Sequence, residues 1–201
     1  MIAVIDYGMG NLGSVAKAFA AIGAKAKVTS SPKDLASAQK IVLPGVGAFS
    51  YAMQSLKKLR LVPSIIENCK DGKPYLGLCL GLQVLFQESE EGGRHKGLGI
   101  LEGKAVKFKS SKLKIPQMGW NQIKTKRPAC PLLKGIPDGT WMYFVHSYYV
   151  APRKNTIIAA TTDYGGNFAS MIWKDNIYAT QFHPEKSQRL GMKMLENFVR
   201  L

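Results

Sequence analysis

The chain has few cysteines, few acidic residues and no long apolar run, and each shortage excludes a class of protein. Three cysteines occur in 201 residues, and no two form a C-x-x-C pair, which argues against a disulfide framework and against a zinc site. No apolar run approaches the ~20 residues that a membrane helix needs. The chain enters a strand pattern at its first residues. We therefore expect neither a signal nor a transit peptide, and a reducing cytoplasm as the location.

The shortage of acidic residues gives the chain a strongly basic balance. Thirteen Asp and Glu face 28 Lys and Arg, for a net charge of +15. Such a balance favours an acidic partner, either nucleic acid or protein. Apolar residues interrupt the densest group of lysines, which indicates the solvated face of strands, or a docking face for an acidic protein, ahead of a nucleic-acid site. This group consists of Lys104, Lys107, Lys109, Lys112 and Lys114.

The order of apolar stretches predicts an α/β fold. Strand and helix patterns alternate through the first 90 residues, which implies a parallel sheet with helices on both faces. Antiparallel strands are expected afterwards, and a final helix ends the chain. We predict a mostly parallel central sheet flanked by helices with an added antiparallel β layer, all in one domain over residues 1–201. The later strands are predicted at 104–109, 118–124, 141–150, 157–162, 168–173 and 177–182.

A cysteine between two glycines lies at the centre of the chain. Residues 77–81, Gly-Leu-Cys-Leu-Gly, match the G-x-nucleophile-x-G turn, with sulfur in place of the usual serine oxygen. A sharp strand-to-helix turn strains the nucleophile's backbone, and side chains at the two glycine positions would clash. We expect a helix from Leu80 to Phe86, with the Leu80 N–H free to donate to an oxyanion. A buried core cysteine explains this motif equally well when it is taken alone.

A histidine and a glutamate follow the last predicted strand. Side chains on a strand repeat every two residues, so His183 and Glu185 are expected on one side. Glu185 can then accept from one ring nitrogen, and the other nitrogen can act as a base. By itself this motif is more often a solvated strand end. Hydrolases that carry the G-x-nucleophile-x-G turn have the nucleophile first and the base last in the chain, as here. Together with the glycine-flanked Cys79, the motif therefore predicts a Cys79–His183–Glu185 triad.

These two motifs resemble the class I glutamine amidotransferases. Further motifs narrow the resemblance to a branch of that family, the glutaminase subunits of imidazole glycerol phosphate synthase. They lie at residues 6–11, 44–49, 118–121 and 144–148. The resemblance covers essentially the whole chain and implies a flavodoxin-like α/β fold. It also implies a heterodimer with a cyclase subunit, a (β/α)₈ barrel, and neither a cofactor, a metal, nucleic acid nor a membrane.

The resemblance implies glutamine hydrolysis through a thioester. Cys79 would attack the side-chain amide, His183 would move the proton, and Glu185 would orient His183. Residues from three other parts of the chain are assigned to supporting roles by the same resemblance. They are the oxyanion donors Leu80 and either Val46 or Gly47, the glutamine pocket Gln83, His146, Ser147 and Tyr148, and the partner interface Asn11, Trp120 and Lys186.

Three other functions remain open at this stage. The chain could be the glutaminase of another synthase, such as the pyridoxal phosphate one. It could be a basic nucleic-acid-binding module, which would leave the Cys, His and Glu without a task and would bind in a steeply salt-dependent way. It could also be a cysteine peptidase or a redox chaperone built on the same turn.

Overall fold

A computed structural model describes residues 1–109 and 113–201. The strands are β1 (Ile2–Ile5), β2 (Ala26–Thr29), β3 (Lys40–Gly45), β4 (Tyr75–Cys79), β5 (Phe86–Ser89), β6 (His95–Lys96), β7 (Leu101–Lys107), β8 (Gln117–Gln122), β9 (Lys124–Thr125), β10 (Trp141–His146), β11 (Tyr148–Pro152), β12 (Ile158–Asp163), β13 (Asn167–Lys174) and β14 (Ile177–Thr180). The helices are α1 (Leu12–Ala21), α2 (Pro32–Ser37), α3 (Phe49–Lys58), α4 (Leu61–Lys70), α5 (Leu80–Gln83) and α6 (Gln188–Val199), with 3₁₀ turns at Pro131–Leu133, Asn155–Ile157 and Pro184–Lys186.

One large sheet organises the molecule. Its first half runs β2-β1-β3-β4-β14 with every neighbouring pair parallel, and its second half continues β13-β11-β7-β5-β6 with mostly antiparallel pairs. Strands β12 and β9 extend it beside β13, and β8 pairs with β10 in a separate two-stranded sheet. The predicted α/β fold with an added antiparallel layer is confirmed.

Apolar side chains cover both faces of the parallel half. Along β1, Ala3 and Ile5 pack into one core, while Ile2 and Val4 pack into the other. This alternation within a fully buried strand is what helices on both faces require. Consecutive parallel strands all end on one edge of the sheet, where β3 and β4 pair up to Gly45 and Cys79. Ligands of open α/β sheets bind at that edge.

The helix that follows Cys79 is shorter than predicted. It ends at Gln83, and Phe86 opens strand β5, which pairs with β7 and β6. Leu82, Leu85 and Phe86 are all fully buried. All three residues are apolar because they are buried on every side, and such a run occurs both in a short helix and in a buried strand. Their spacing therefore did not distinguish the two.

The predicted strand at 141–150 is two strands in two sheets. Strand β10 pairs with β8, whereas β11 pairs with β7 and β13, and Ser147 lies between them. Apolar residues continue across the break, so the sequence pattern alone does not reveal it. The chain passes from one sheet to the other at Ser147, close to the edge of the large sheet where Cys79 lies.

The lysines of the basic group lie at the surface as predicted for a solvated face. Lys104, Lys107, Lys109 and Lys114 are exposed, while Ala105 and Phe108 between them are buried; Lys112 lies outside the described residues. Among the residues described, no helix is both long and apolar enough to cross a membrane.

Candidate active site

The backbone at Cys79 has the strained geometry predicted for it. Cys79 has φ +53° and ψ −104°, a backbone conformation that is unfavourable for every residue except glycine. Helix α5 starts at the next residue. A Cβ added to Gly77 would lie 2.5 Å from the Gly81 carbonyl oxygen, and one added to Gly81 would collide with the Leu43 carbonyl on β3. Both glycines are therefore required by close backbone approach.

The ring of His183 is held by Glu185, as predicted, but through a different local structure. Nδ1 of His183 lies 2.8 Å from Oε1 of Glu185, and both side chains are 2% exposed. The expected cause was strand alternation, which is wrong, because β14 ends at Thr180 and His183 precedes the 3₁₀ turn Pro184–Lys186. The turn folds the carboxylate back onto the ring.

The sulfur of Cys79 and the ring of His183 meet at the carboxyl edge of the sheet. Burial alone would lower the pKa of His183. The charge of an ionised Cys79, with hydrogen bonds to Cys79 and Glu185, outweighs burial and raises that pKa to about 10. Nε2 of His183 is buried and makes no hydrogen bond of ordinary geometry to any of the described residues. The charged, imidazolium form of His183 is thus favoured beside the sulfur.

A cleft of about 320 Å³ opens above the sulfur, a size suited to an amino acid. Every residue predicted for the oxyanion site or the glutamine pocket lines it, namely Val46, Gly47, Leu80, Gln83, His146, Ser147 and Tyr148. The structure thus brings together segments from β3, the turn at Cys79 and the β10–β11 crossing. Their roles as oxyanion donors or substrate ligands stay predictions.

Two of the predicted pocket residues, His146 and Gln83, use their polar side-chain atoms in hydrogen bonds within the protein. Nδ1 of His146 lies 2.8 Å from the Tyr148 carbonyl, and Nε2 lies 2.9 Å from Oε1 of Gln117. Burial lowers the pKa of His146 to about 4, with a smaller contribution in the same direction from the charge of His183. Nε2 of Gln83 donates to the Tyr148 carbonyl and to Oε1 of Gln181. His146 therefore forms a wall of the cleft without a free polar tip.

The sequence reasoning missed two polar residues of this site. Glu91 lines the cleft, and its Oε2 accepts a 2.7 Å hydrogen bond from the Phe49 N–H at the start of α3. Nε2 of Gln181 lies 3.5 Å from Sγ of Cys79. Gln181 lies two residues before His183, in the segment after β14, so its nearness to His183 in the chain is the signal that could have found it. No local pattern marks Glu91, which belongs to a polar turn.

Two of the three residues predicted for a partner interface, Trp120 and Lys186, lie against Tyr143, next to the site. The Trp120 ring meets the Tyr143 ring edge-on at 6.0 Å, and the Lys186 ammonium lies 5.7 Å above it. Tyr143 in turn lies 6.5 Å from the His183 ring. Asn11 caps α1 by accepting from the Ser14 N–H, and α1 packs against the 3₁₀ turn that follows His183.

Comparison with known protein families gives a match over nearly the whole chain. The family model described as glutamine amidotransferase class-I matches residues 3–201. The chain belongs to the class I glutamine amidotransferases.

Curated relatives of this amidotransferase share about half of its residues. The imidazole glycerol phosphate synthase subunit HisH of Syntrophotalea carbinolica is 52% identical over 204 residues, covering 98% of each chain. The proteins of the same name from Moorella thermoacetica and Aquifex aeolicus are 50% and 51% identical, covering 100% and 98% of this chain and 94% and 95% of their own lengths.

Solved structures share the fold at low sequence identity. A crystal structure titled glutamine amidotransferase has a TM-score of 0.77 at 14% identity and covers 100% of this chain and 98% of its own. The PurLQS structure from Thermotoga maritima also has a TM-score of 0.77, at 16% identity, and covers 99% of this chain and 97% of its own.

Proposed function

We propose that this amidotransferase is the glutaminase subunit of imidazole glycerol phosphate synthase and acts in histidine biosynthesis, in the cytoplasm, as a single domain over residues 1–201. The observation that supports this most directly is the line of sulfur, imidazole and carboxylate beneath an amino-acid-sized cleft. The relatives at about 50% identity that are named HisH support the choice of synthase.

The reaction begins with Cys79 as a thiolate. Its sulfur attacks the side-chain amide carbon of glutamine, and the negative charge moves to the amide oxygen. The N–H groups of Leu80 and of Val46 or Gly47 stabilise that oxyanion, and losing one such donor costs ~3–4 kcal/mol of barrier. His183 donates its Nε2 proton to the leaving nitrogen, and ammonia departs to leave a thioester. His183 then takes a proton from water, which attacks the thioester and releases glutamate and the thiolate.

Glu185 and Glu91 have separate tasks in this scheme. Glu185 accepts from Nδ1 and holds the ring so that Nε2 faces the sulfur. Glu91 supplies a carboxylate to the cleft, which suits the α-ammonium group of glutamine. Gln83, Ser147 and Tyr148 complete the pocket.

The ammonia passes to the cyclase subunit, a (β/α)₈ barrel, which uses it to make imidazole glycerol phosphate and aminoimidazole carboxamide ribonucleotide. The docking face contains Asn11, Trp120 and Lys186. It continues along the two-stranded sheet, where large apolar side chains are unusually exposed: Met118 at 66%, Trp120 at 44% and Trp141 at 55%. Exposed apolar patches of this kind mark interaction sites. A basic face meeting an acidic barrel mouth would use part of the +15 charge.

The partner also switches the glutaminase on. Gly47 has φ +97°, and Gly45 is packed so closely against Tyr7 and Leu80 that a side chain there would clash. A peptide between two glycines can turn, and partner binding would favour the orientation that aims an N–H at the oxyanion. Equal glutaminase rates with and without the cyclase would refute this part of the proposal.

The deciding experiment measures glutamate release from glutamine with and without the cyclase subunit. We expect release by the parent complex and a loss of ~10³-fold or more for Cys79→Ala, because no other group can form the thioester. Cys130 is a buried cysteine in the core that also contains Ile2 and Val4, so Cys130→Ala serves as the matched control. Retained activity in Cys79→Ala would contradict the proposal, as would activation by a pyridoxal phosphate synthase in place of the cyclase.

A further inference from the structure

The side chain of Gln181 lies beside the reacting sulfur, and the scheme above gives it no task. It is fully buried, and its Nε2 is 3.5 Å from Sγ of Cys79. The main chain fixes its position, since its N–H donates to the Ser170 carbonyl at 2.9 Å. Gln181 and His183 both approach the sulfur, while Phe182 between them packs against Phe144.

The chemistry of this contact depends on the charge of the sulfur. A hydrogen bond donated to the ionised form of a group favours that form, and bonds to ionised acceptors are stronger than bonds to neutral ones. An amide N–H donates to a thiolate far better than to a thiol. Unlike His183, the amide of Gln181 does not ionise, so its donor remains in place throughout the reaction.

The same amide is tied to the wall of the cleft. Its Oε1 accepts from Nε2 of Gln83 at 3.2 Å, and that nitrogen also donates to the Tyr148 carbonyl at 3.0 Å. Three hydrogen bonds therefore connect Tyr148 on β11 with the sulfur on β4. With its oxygen held by Gln83, the Gln181 amide keeps its NH₂ turned toward Cys79.

We propose that Gln181 is a positioning residue that fixes the Cys79 sulfur and stabilises its thiolate through an N–H···S hydrogen bond, and that Gln83 fixes Gln181. The inference rests on the proposed function, since the sulfur needs positioning only if it is the nucleophile. The hydrogen bond itself can be tested without glutamine or a partner.

Other ionisable groups also face Cys79 and set the background for such a test. His183, backed by Glu185, faces it from the segment after β14. Tyr7 lies behind it after β1, and burial, followed by the charge of Cys79, raises the pKa of that phenol. The remaining ionisable groups line the cleft, namely Glu91, His146 and Tyr148. A substitution of Gln181 leaves all of these groups in place.

The test is the rate of alkylation by iodoacetamide as a function of pH, on the full chain alone. Burial raises the pKa of Cys69 to about 12 and that of Cys130 to about 11, so alkylation between about pH 5 and pH 9 reports on Cys79. Cys79→Ala gives the background. Gln181→Met keeps the length without a donor, Gln181→Asn withdraws the donor by one methylene, and exposed Gln54→Met is the matched control.

We expect the pH of half-maximal alkylation to rise by about one unit in Gln181→Met and Gln181→Asn, as loss of a hydrogen bond to a charged group implies, and to stay unchanged in Gln54→Met. Near-ultraviolet circular dichroism identifies which variants are folded. An unchanged midpoint in either folded Gln181 variant overturns the proposal.

Gln83→Met separates the direct hydrogen bond from its support. It leaves the Gln181 donor in the chain but removes the group that holds its oxygen, so a rise of the midpoint no larger than that of Gln181→Met is expected. An unchanged midpoint in folded Gln83→Met overturns the role given to Gln83. In the complex with the cyclase, Gln181→Met should lower kcat for glutamate release roughly tenfold with a smaller change in KM. A parent complex that releases no glutamate would end the proposed function, whereas the alkylation profile would still decide the role of Gln181.

Discussion

The surroundings of His183 and of His146 differ although the two rings lie on adjoining segments. The backbone N–H of His183 donates to the Tyr143 carbonyl of β10, the strand that ends at His146. Both histidine rings are buried. Burial alone would lower the pKa of His183, but the charge of an ionised Cys79, with hydrogen bonds to Cys79 and Glu185, raises it to about 10. His146 faces an amide, a carbonyl and aromatic rings, and burial lowers its pKa to about 4. Burial therefore determines the charge of a histidine only where no ionised partner opposes it.

The largest difference is expected when each histidine is replaced by glutamine. His183→Gln removes the proton carrier and should lower glutamate release by the cyclase complex ~10³-fold or more. His146→Gln removes a wall of the cleft but no proton-transfer group, so a loss below about tenfold is expected, mainly in KM. Comparable losses of kcat in the two folded variants would break the comparison.

Removing the carboxylate should have the next largest effect. Glu185→Gln keeps the size of the side chain but withdraws the charge and the acceptor that hold Nδ1, so kcat should fall roughly 100-fold or more. The pKa of His183, measured by NMR titration, should fall as well, because Glu185 contributes to raising it. Glu102→Gln, at an exposed pair with Arg153, is the control and should match the parent.

A carboxylate introduced beside His146 sharpens the comparison from the other side. Gln117→Glu places an acid where the amide oxygen lies 2.9 Å from Nε2. The charged ring is then favoured, and the pKa of His146 should rise from about 4 by roughly one unit or more. NMR titration of the ring measures this shift. Gln122→Glu, farther along the same strand, should leave it unchanged, and an unchanged pKa in Gln117→Glu would mean that burial alone governs the ring.

The smallest expected effect is on the pH dependence of stability. The pKa of His146 is about 6.5 when unfolded and about 4 when folded, so the unfolded chain binds more protons between these values. The free energy of unfolding should therefore fall by ~1–3 kcal/mol as the pH drops from 6.5 to 4. His183 has the opposite sign: its contribution is complete below pH 6.5 and is lost as the pH rises toward about 10. The free energy of unfolding, measured in urea, should fall less steeply between pH 6.5 and pH 4 in His146→Gln than in the parent. An identical pH dependence in the two proteins would contradict the lowered pKa of His146.

Local sterics and short-range patterns were sufficient to predict much of this protein. The strand β1, the α/β order and the strained turn at Cys79 follow from burial patterns and from the space that Gly77 and Gly81 leave free. The contact between His183 and Glu185 was also predictable, since the two residues are close in the chain. Information of this kind resides within a few consecutive residues.

Only the tertiary structure decided which distant groups share the site. Ser147 separates two strands that the apolar pattern joins, because pairing partners for β10 and β11 lie in different sheets. Glu91 reaches the cleft, and Gln181 reaches the sulfur of Cys79, from parts of the chain that are far apart in the sequence. The opposite pKa shifts of the two histidines likewise depend on which neighbours the fold brings within a few ångströms. Electrostatic interactions in a buried site are set by those distances rather than by residue type.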